Sequence, residues 1–204
     1  KTFPEAVDIL TGGSILARRA PARPATKPEP KPPPVATGLP ETDALALVEA
    51  AEARLWSDDG RDYLAYLTGP RYLSESTIRT ARLGWTDPVA IPKANPKPGD
   101  DPCWYPSGWV LPWFVGERLT LVKIRQPEGR HPKYAEAFRN PARLVCYPST
   151  TVRPGNPVVI VEGEFDALLL GQALGEAATV LTLGGASAPL TPAIKLRFMS
   201  APIW

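Results

Sequence analysis

Three carboxylates, Glu162, Glu164 and Asp166, stand at alternate positions in VVIVEGEFDALLL, the stretch from Val158 to Leu170. Apolar runs flank them on both sides, so acids occupy places where the hydrophobic pattern would put core. Carboxylates with no histidine or cysteine constellation nearby favour hard cations held by oxygen, usually magnesium. Such an ion can stabilise charge on a transferring phosphoryl group or activate a hydroxyl. The plainer alternative is a helix N-terminus, where negative charge is favourable by ~0.3 to 1 kcal/mol. On chemistry alone both readings stay open.

A second group lies upstream. Lys123 and Arg125 are two apart in RLTLVKIR, so on a strand they point to the same face. Lys133 follows in a short loop, with Arg130 shortly before it. Together these cations would form a positive patch able to hold nucleoside triphosphates or template phosphates, arginine being suited to bidentate contacts. An ordinary solvated strand face is the alternative. Trp104, Tyr105, Trp109 and Trp113 could stack on bases, or, as a cluster in a β-rich region, simply form core. His131 reads as a loop residue with no catalytic role.

Composition limits the remaining chemistry. The net charge of the 204 residues is only +2, so nucleic-acid binding would have to come from a local patch. Cys103 and Cys146 have no CxxC spacing and His131 is the single histidine, which is too few ligands for structural zinc. Both cysteines are expected as reduced thiols. No apolar run approaches the ~20 residues of a membrane span and no signal peptide opens the chain, so the expected compartment is the cytoplasm, with no membrane partner. The chain opens on Lys1 and stops at Ala201-Pro202-Ile203-Trp204, as expected of a fragment that ends while entering another strand.

The elements that must position these residues follow from the local pattern. Residues 1–17 read as a short helix, with Phe3, Val7 and Leu10 at helical spacing and Gly12-Gly13 as its stop. Residues 18–42 are a Pro-rich linker, too poor in apolar area to offset its ordering entropy. Leu45, Val48, Ala51 and Leu55 then share a helix face that Thr42 or Asp43 could cap. A second helix is expected over Arg61 to Leu67, and a third after Ser74, an apt N-cap, with Leu73 stapled to Ile78. Between Thr86 and Asp101 the Pro, Asn and Gly content predicts an irregular loop.

From Trp109 the period changes to that of strands. WVLPWFV and RLTLVKIR are expected to pair as a hairpin about Val115-Gly116-Glu117-Arg118. VVIVEG reads as a strand buried on both faces, FDALLLGQALG as a helix, TVLTLGG as a strand, PLTPAIKLRFM as a helix and PIW as a further strand. That order predicts a parallel sheet with crossover helices, whose ligand site lies at the carboxyl ends of the strands. Glu162 falls at such an end, as does Gly184-Gly185. The expected class is α+β: a helical and antiparallel β subdomain over 43–156, then a partial α/β unit with parallel strands over 157–204.

Val161 to Leu168, taken with Leu183-Gly184-Gly185, resembles the Toprim domain shared by bacterial-type primases, topoisomerases and some nucleases. That resemblance implies a magnesium or manganese site in which Glu162 is a metal ligand and catalytic residue, with Asp166 as the second catalytic candidate. Its later Asp-x-Asp pair would follow the strand that begins at Pro202-Ile203-Trp204. The helices from Asp43 to Gly84, with YLAYLTGPRYLSESTIRTARLGW, look like the start of the RNA polymerase core of bacterial-type primases. Gly116, Arg125, Pro132-Lys133-Tyr134 and Asn140-Pro141 fall in the order of that core's basic motif. Phe3-Pro4-Glu5-Ala6-Val7 resembles the helix trailing the primase zinc ribbon, so zinc is expected only in a domain outside this chain.

The resemblance implies a DNA primase, making short RNA primers on single-stranded template from ribonucleoside triphosphates, with a replicative helicase as a further partner. It also implies that Arg125, Lys133, Lys123, Tyr134 and Asn140 bind nucleotide or DNA. Lys123 departs from the pattern, standing where many relatives carry a small residue. The alternatives are another Toprim enzyme such as a nuclease, or a non-catalytic module that binds nucleic acid or loads a helicase.

Overall fold

The computed structural model describes residues 37–91, 93, 99, 101–140, 146–148, 155–185 and 188. The helix expected over 1–17, nearly all of the linker, the helix PLTPAIKLRFM and the strand PIW lie outside these residues. So do Pro141 and the expected Asp-x-Asp motif.

The first long element is helix α1 (Glu41–Leu55), preceded by a two-residue strand, β1 (Thr37–Gly38). Ala44, Leu47, Val48, Ala51 and Leu55 are its buried residues, spaced by three and four as one helical face requires. The expected cap differs. Pro40 takes the N-cap position with no side-chain bond, its carbonyl accepting from Ala44 N at 2.9 Å, so Thr42 and Asp43 lie inside the first turn. There Glu41 and Asp43 face the positive end of the helix, where their charge is favourable.

Helix α2 (Arg61–Thr68) and helix α3 (Glu75–Thr80) follow. Ser74 caps α3 as expected, its hydroxyl accepting from Thr77 N at 3.1 Å, and Leu73 and Ile78 are buried in one cluster.

The main sheet has five strands in the order β1-β7-β6-β5-β2, every pairing antiparallel. Its members after β1 are β2 (Gly84–Thr86), β5 (Gly108–Val115), β6 (Arg118–Arg125) and β7 (Tyr134–Arg139). The β5–β6 hairpin turns at Gly116-Glu117, with Gly116 at φ +59, a left-handed conformation that glycine adopts freely. Both faces of the sheet are covered. Val110, Val122, Ile124 and Phe138 pack with Ala44, Leu47 and Val48 of α1. Trp109, Leu111, Trp113 and Leu121 pack on the other side with Leu67, Ile78, Phe165 and Leu168. Double coverage explains why β5 and β6 read as nearly continuous apolar runs rather than as alternation. Gly84 lets α1 lie directly on the sheet, since a Cβ there would sit 2.4 Å from the Ala51 carbonyl carbon.

Most of the aromatic cluster is core. Tyr105, Trp109 and Trp113 are buried, Tyr63 stacks on Trp85 at 3.5 Å between centroids, and only Trp104 of the four candidates is open, at 70% exposure. The expected irregular loop after Thr86 is bracketed by structure, because β3 (Val89–Ile91) pairs with β4 (Cys103–Tyr105). The apolar residues of Val89-Ala90-Ile91 find a partner strand that the Pro-rich composition between them obscures. Cys103 is half-buried and Cys146 is buried.

The last described part is β8 (Val158–Val161), helix α4 (Glu164–Leu174) and β9 (Thr179–Thr182), with β8 and β9 parallel and in register from Val158↔Thr179 to Val161↔Thr182. The expected β-α-β order is therefore present. Burial of β8 is less complete than its sequence suggests: Val158 is buried, whereas Val159, Ile160 and Val161 are half-buried, β9 being its one neighbour among the described residues. The class is α+β as expected. Among the described residues no helix is long and apolar enough to cross a membrane.

Candidate functional site

The carboxyl ends of β8 and β9 are tied together. Thr182 Oγ1 donates to the Glu162 carbonyl at 2.8 Å and accepts from Gly184 N at 3.1 Å. This fixes the backbone of Glu162 while its side chain stays exposed. Gly163 then turns the chain into α4, and Asp166, exposed in the first turn, folds back over it. A Cβ on residue 163 would lie 2.9 Å from Asp166 Oδ2, so a side chain there would make this carboxylate shift.

Glu164 behaves differently from its two neighbours. It is 2% exposed, and its Oε1 accepts from Lys123 Nζ at 2.6 Å. Of the three acids expected at an open site, one is thus in the core, neutralised by a buried lysine. A buried carboxylate needs such a partner, because an unpaired charge there would cost several kcal/mol. The same ammonium donates to the Gly184 carbonyl at 3.2 Å and lies 5.1 Å from the Trp113 ring centroid.

Lys123 and Arg125 do share a strand face, as their spacing predicts, and both approach the Tyr134 ring, at 5.3 and 5.7 Å. They are not equally available. Lys123 is buried, which departs from the expected open patch, whereas Arg125 is half-buried and donates to the Tyr134 hydroxyl at 3.1 Å. Lys133 is exposed, 5.6 Å from the same ring. Burial pushes the Tyr134 hydroxyl above its ordinary pKa and the nearby Glu164 adds to the shift, with Arg125 opposing it. Tyr147 is raised by burial first and by Glu164 second.

Asn140 is not brought into this group. It follows Arg139 at one end of β7 while Tyr134 begins the other, a separation of about 20 Å by strand rise. Its backbone N donates to Thr120 O at 2.8 Å, which ties it to β6. Arg130 and His131 are exposed in the loop between β6 and β7.

Two further residues join the cluster that sequence reasoning did not single out. Arg125 and Arg71 lie over the Phe165 ring, at 5.0 and 5.3 Å, so the aromatic within EGEFD is flanked by two guanidinium groups. Arg71 also donates to the Tyr66 hydroxyl at 3.0 Å and pairs with the exposed Glu128 at 3.4 Å. No local pattern marks Arg71; it reaches the site because α2 and α3 pack on the face of the sheet that carries Arg125.

The donor chemistry of Glu162 and Asp166 fits part of a hard-cation site: both are exposed carboxylates, one just past a parallel strand and one in the first turn of the helix that follows it. Glu164 is committed to Lys123. Among the described residues no group of three or more His, Cys, Asp or Glu side chains is placed to hold an ion.

No family model and no curated protein matches the chain in sequence. Solved structures do match in fold. The catalytic core of DnaG aligns with a TM-score of 0.60 at 17% identity, covering 78% of this chain and 58% of that one. A DNA primase domain from Pseudomonas aeruginosa aligns with a TM-score of 0.59 at 16% identity, covering 80% of this chain and 59% of that one. A DnaG primase catalytic domain bound to single-stranded DNA gives 0.60 at 16% identity, covering 78% and 59%. The chain therefore has the fold of bacterial primase catalytic cores and spans somewhat under two thirds of their length. β8, α4 and β9 are the part whose sequence resembles Toprim.

Proposed function

We propose that this chain belongs to the catalytic core of a DNA primase, which makes short RNA primers on single-stranded DNA from ribonucleoside triphosphates. One observation carries the reading: Arg125 and Arg71 lie over the ring of Phe165, the buried second residue of α4, which stands between Glu162 and Asp166 in the chain. Cations able to hold phosphates thus pack on the short segment, Glu162 to Asp166, that also carries two exposed carboxylates. The fold shared with primase cores supports the same conclusion.

In this account Glu162 is the principal metal ligand, Asp166 supports it, and the remaining ligands come from outside the described residues. A bound magnesium ion supplies charge neutralisation at the transferring phosphoryl group. Arg125 and Lys133 hold triphosphate or template phosphates, arginine through its planar fork and lysine as a mobile point charge. Tyr134 orients Arg125 through its hydroxyl. Catalysis then consists mainly of positioning and electrostatic stabilisation. A replicative helicase as partner and a zinc-bearing template reader belong to the same proposal.

The test is incubation of the full-length protein with single-stranded DNA, magnesium and labelled ribonucleotides. Incorporation into short products is the predicted result. Cleavage of the DNA in its place would assign the site to a Toprim nuclease, and binding with neither reaction would assign a non-catalytic module.

A further inference from the structure

Lys123 makes contacts that its place in a strand does not require. Between β6 and β7 the register shifts after Val122, which pairs with Phe138 while Lys123 pairs with Glu136, leaving Ala137 as the extra residue. A bulge of this kind bends the strand that carries the extra residue, here β7 opposite Lys123. The Lys123 ammonium reaches out of the antiparallel sheet to two separate segments of the parallel part. It meets Glu164 Oε1, on the first residue of α4, at 2.6 Å and the Gly184 carbonyl, just past β9, at 3.2 Å. Gly184 has φ +89, and a Cβ there would lie 3.0 Å from Trp113 Cη2 and 3.2 Å from Lys123 Nζ. A side chain at 184 would thus occupy the space that the ammonium uses.

These two segments are the ones that follow the parallel strands, and Glu162 lies on the first of them. We infer that Lys123 is a positioning residue: it clamps the Glu162-Gly163 turn and the Gly184-Gly185 turn to the middle of the antiparallel sheet, so that the exposed carboxylates are presented in one fixed geometry. Its charge is consumed by Glu164, and its task is to hold the loops; touching a phosphate is left to Arg125 and Lys133. The clamp itself rests on geometry alone, whereas its consequence for metal binding rests on the proposed function.

The pair can be removed in two ways. Lys123→Met strands a buried carboxylate and lowers the melting temperature, and Glu164→Gln strands a buried ammonium. The double variant Lys123→Met/Glu164→Leu replaces both charges by apolar groups and regains most of the lost stability, as apolar replacements of buried ion pairs often do. A merely structural pair would then be fully replaced; a clamp would not, because the bond to the Gly184 carbonyl is still missing.

Amide hydrogen exchange on the full-length double variant reads the difference. The amides of Ala167 and Gly184, which donate to the Gly163 carbonyl and to Thr182 Oγ1, are expected to exchange at least 10-fold faster than in the wild type, while those of β5 and β6 are unchanged. Wild-type exchange at both amides would overturn the clamp. Should the double variant not fold, Lys123→Met, which removes both bonds of the clamp, is judged by the same ratio of loop to strand exchange. In parallel, manganese affinity read by paramagnetic resonance should fall by 10-fold or more in the double variant. A wild-type protein that binds no manganese would refute the metal reading and leave the exchange result to decide the clamp by itself.

Discussion

Gln172 joins two helices that are far apart in the chain: its side-chain oxygen accepts from Ser74 N at 2.7 Å and from Thr77 Oγ1 at 2.8 Å, and its amide nitrogen donates to Tyr72 O at 2.9 Å. The start of α3 is therefore held against α4 by one side chain with three partners. Gln172→Ala should destabilise the protein by about 1 kcal/mol, the usual scale for polar groups near the surface that lose a partner but can recover water. The urea midpoint at constant m measures this. Gln172→Glu keeps the two acceptor roles but turns an oxygen acceptor toward the Tyr72 carbonyl, so it too should destabilise.

Alkaline pH should destabilise the fold through its buried tyrosines. Burial, with a smaller contribution from Cys103, raises Tyr105 from 10.0 to about 12, and Tyr147 is raised by burial. Each hydroxyl binds its proton more tightly in the folded chain than in the unfolded one. The folded chain thus carries more protons above pH 10, so stability is complete below about pH 10 and falls as pH rises toward 12. Urea midpoints between pH 8 and 11.5 test this, and Tyr105→Phe should flatten the decline.

Phosphate contacts by Arg125 and Lys133 predict a salt signature. Affinity for single-stranded DNA should fall with salt, and Arg125→Ala or Lys133→Ala should each reduce the slope of log K against log salt by about 0.7 for every contact removed. Arg118→Ala, exposed at the opposite end of β6 from Arg125, should leave the slope unchanged. Equal slopes for all four proteins in fluorescence anisotropy would return Arg125 and Lys133 to an ordinary solvated face.

The parts of the fold that sequence reveals are those whose cause is local. The Ser74 cap, the Gly116-Glu117 hairpin and the β8-α4-β9 order each follow from residues within a few positions of one another. The carboxylates were harder to sort, because Glu162, Glu164 and Asp166 look alike in a one-dimensional pattern. Glu164 is buried on account of Lys123, on a strand in a different sheet. The same limit hid Arg71, whose place beside Phe165 depends on how α2 and α3 pack. Asn140 illustrates the converse, since order along the chain suggested a shared site while the length of β7 separates it from Tyr134.

Primer synthesis by the Glu162→Gln protein is the most direct test of the central claim. Glu162 is exposed at the end of β8, and its backbone is held by Thr182, so the substitution should leave the circular dichroism spectrum and melting temperature of the full-length protein unchanged. With single-stranded template, magnesium and labelled ribonucleotides, the wild type should yield short RNA products and Glu162→Gln should yield less than about 1% of them, the scale expected when an interaction specific to the transition state is lost. Undiminished synthesis by Glu162→Gln would contradict the account.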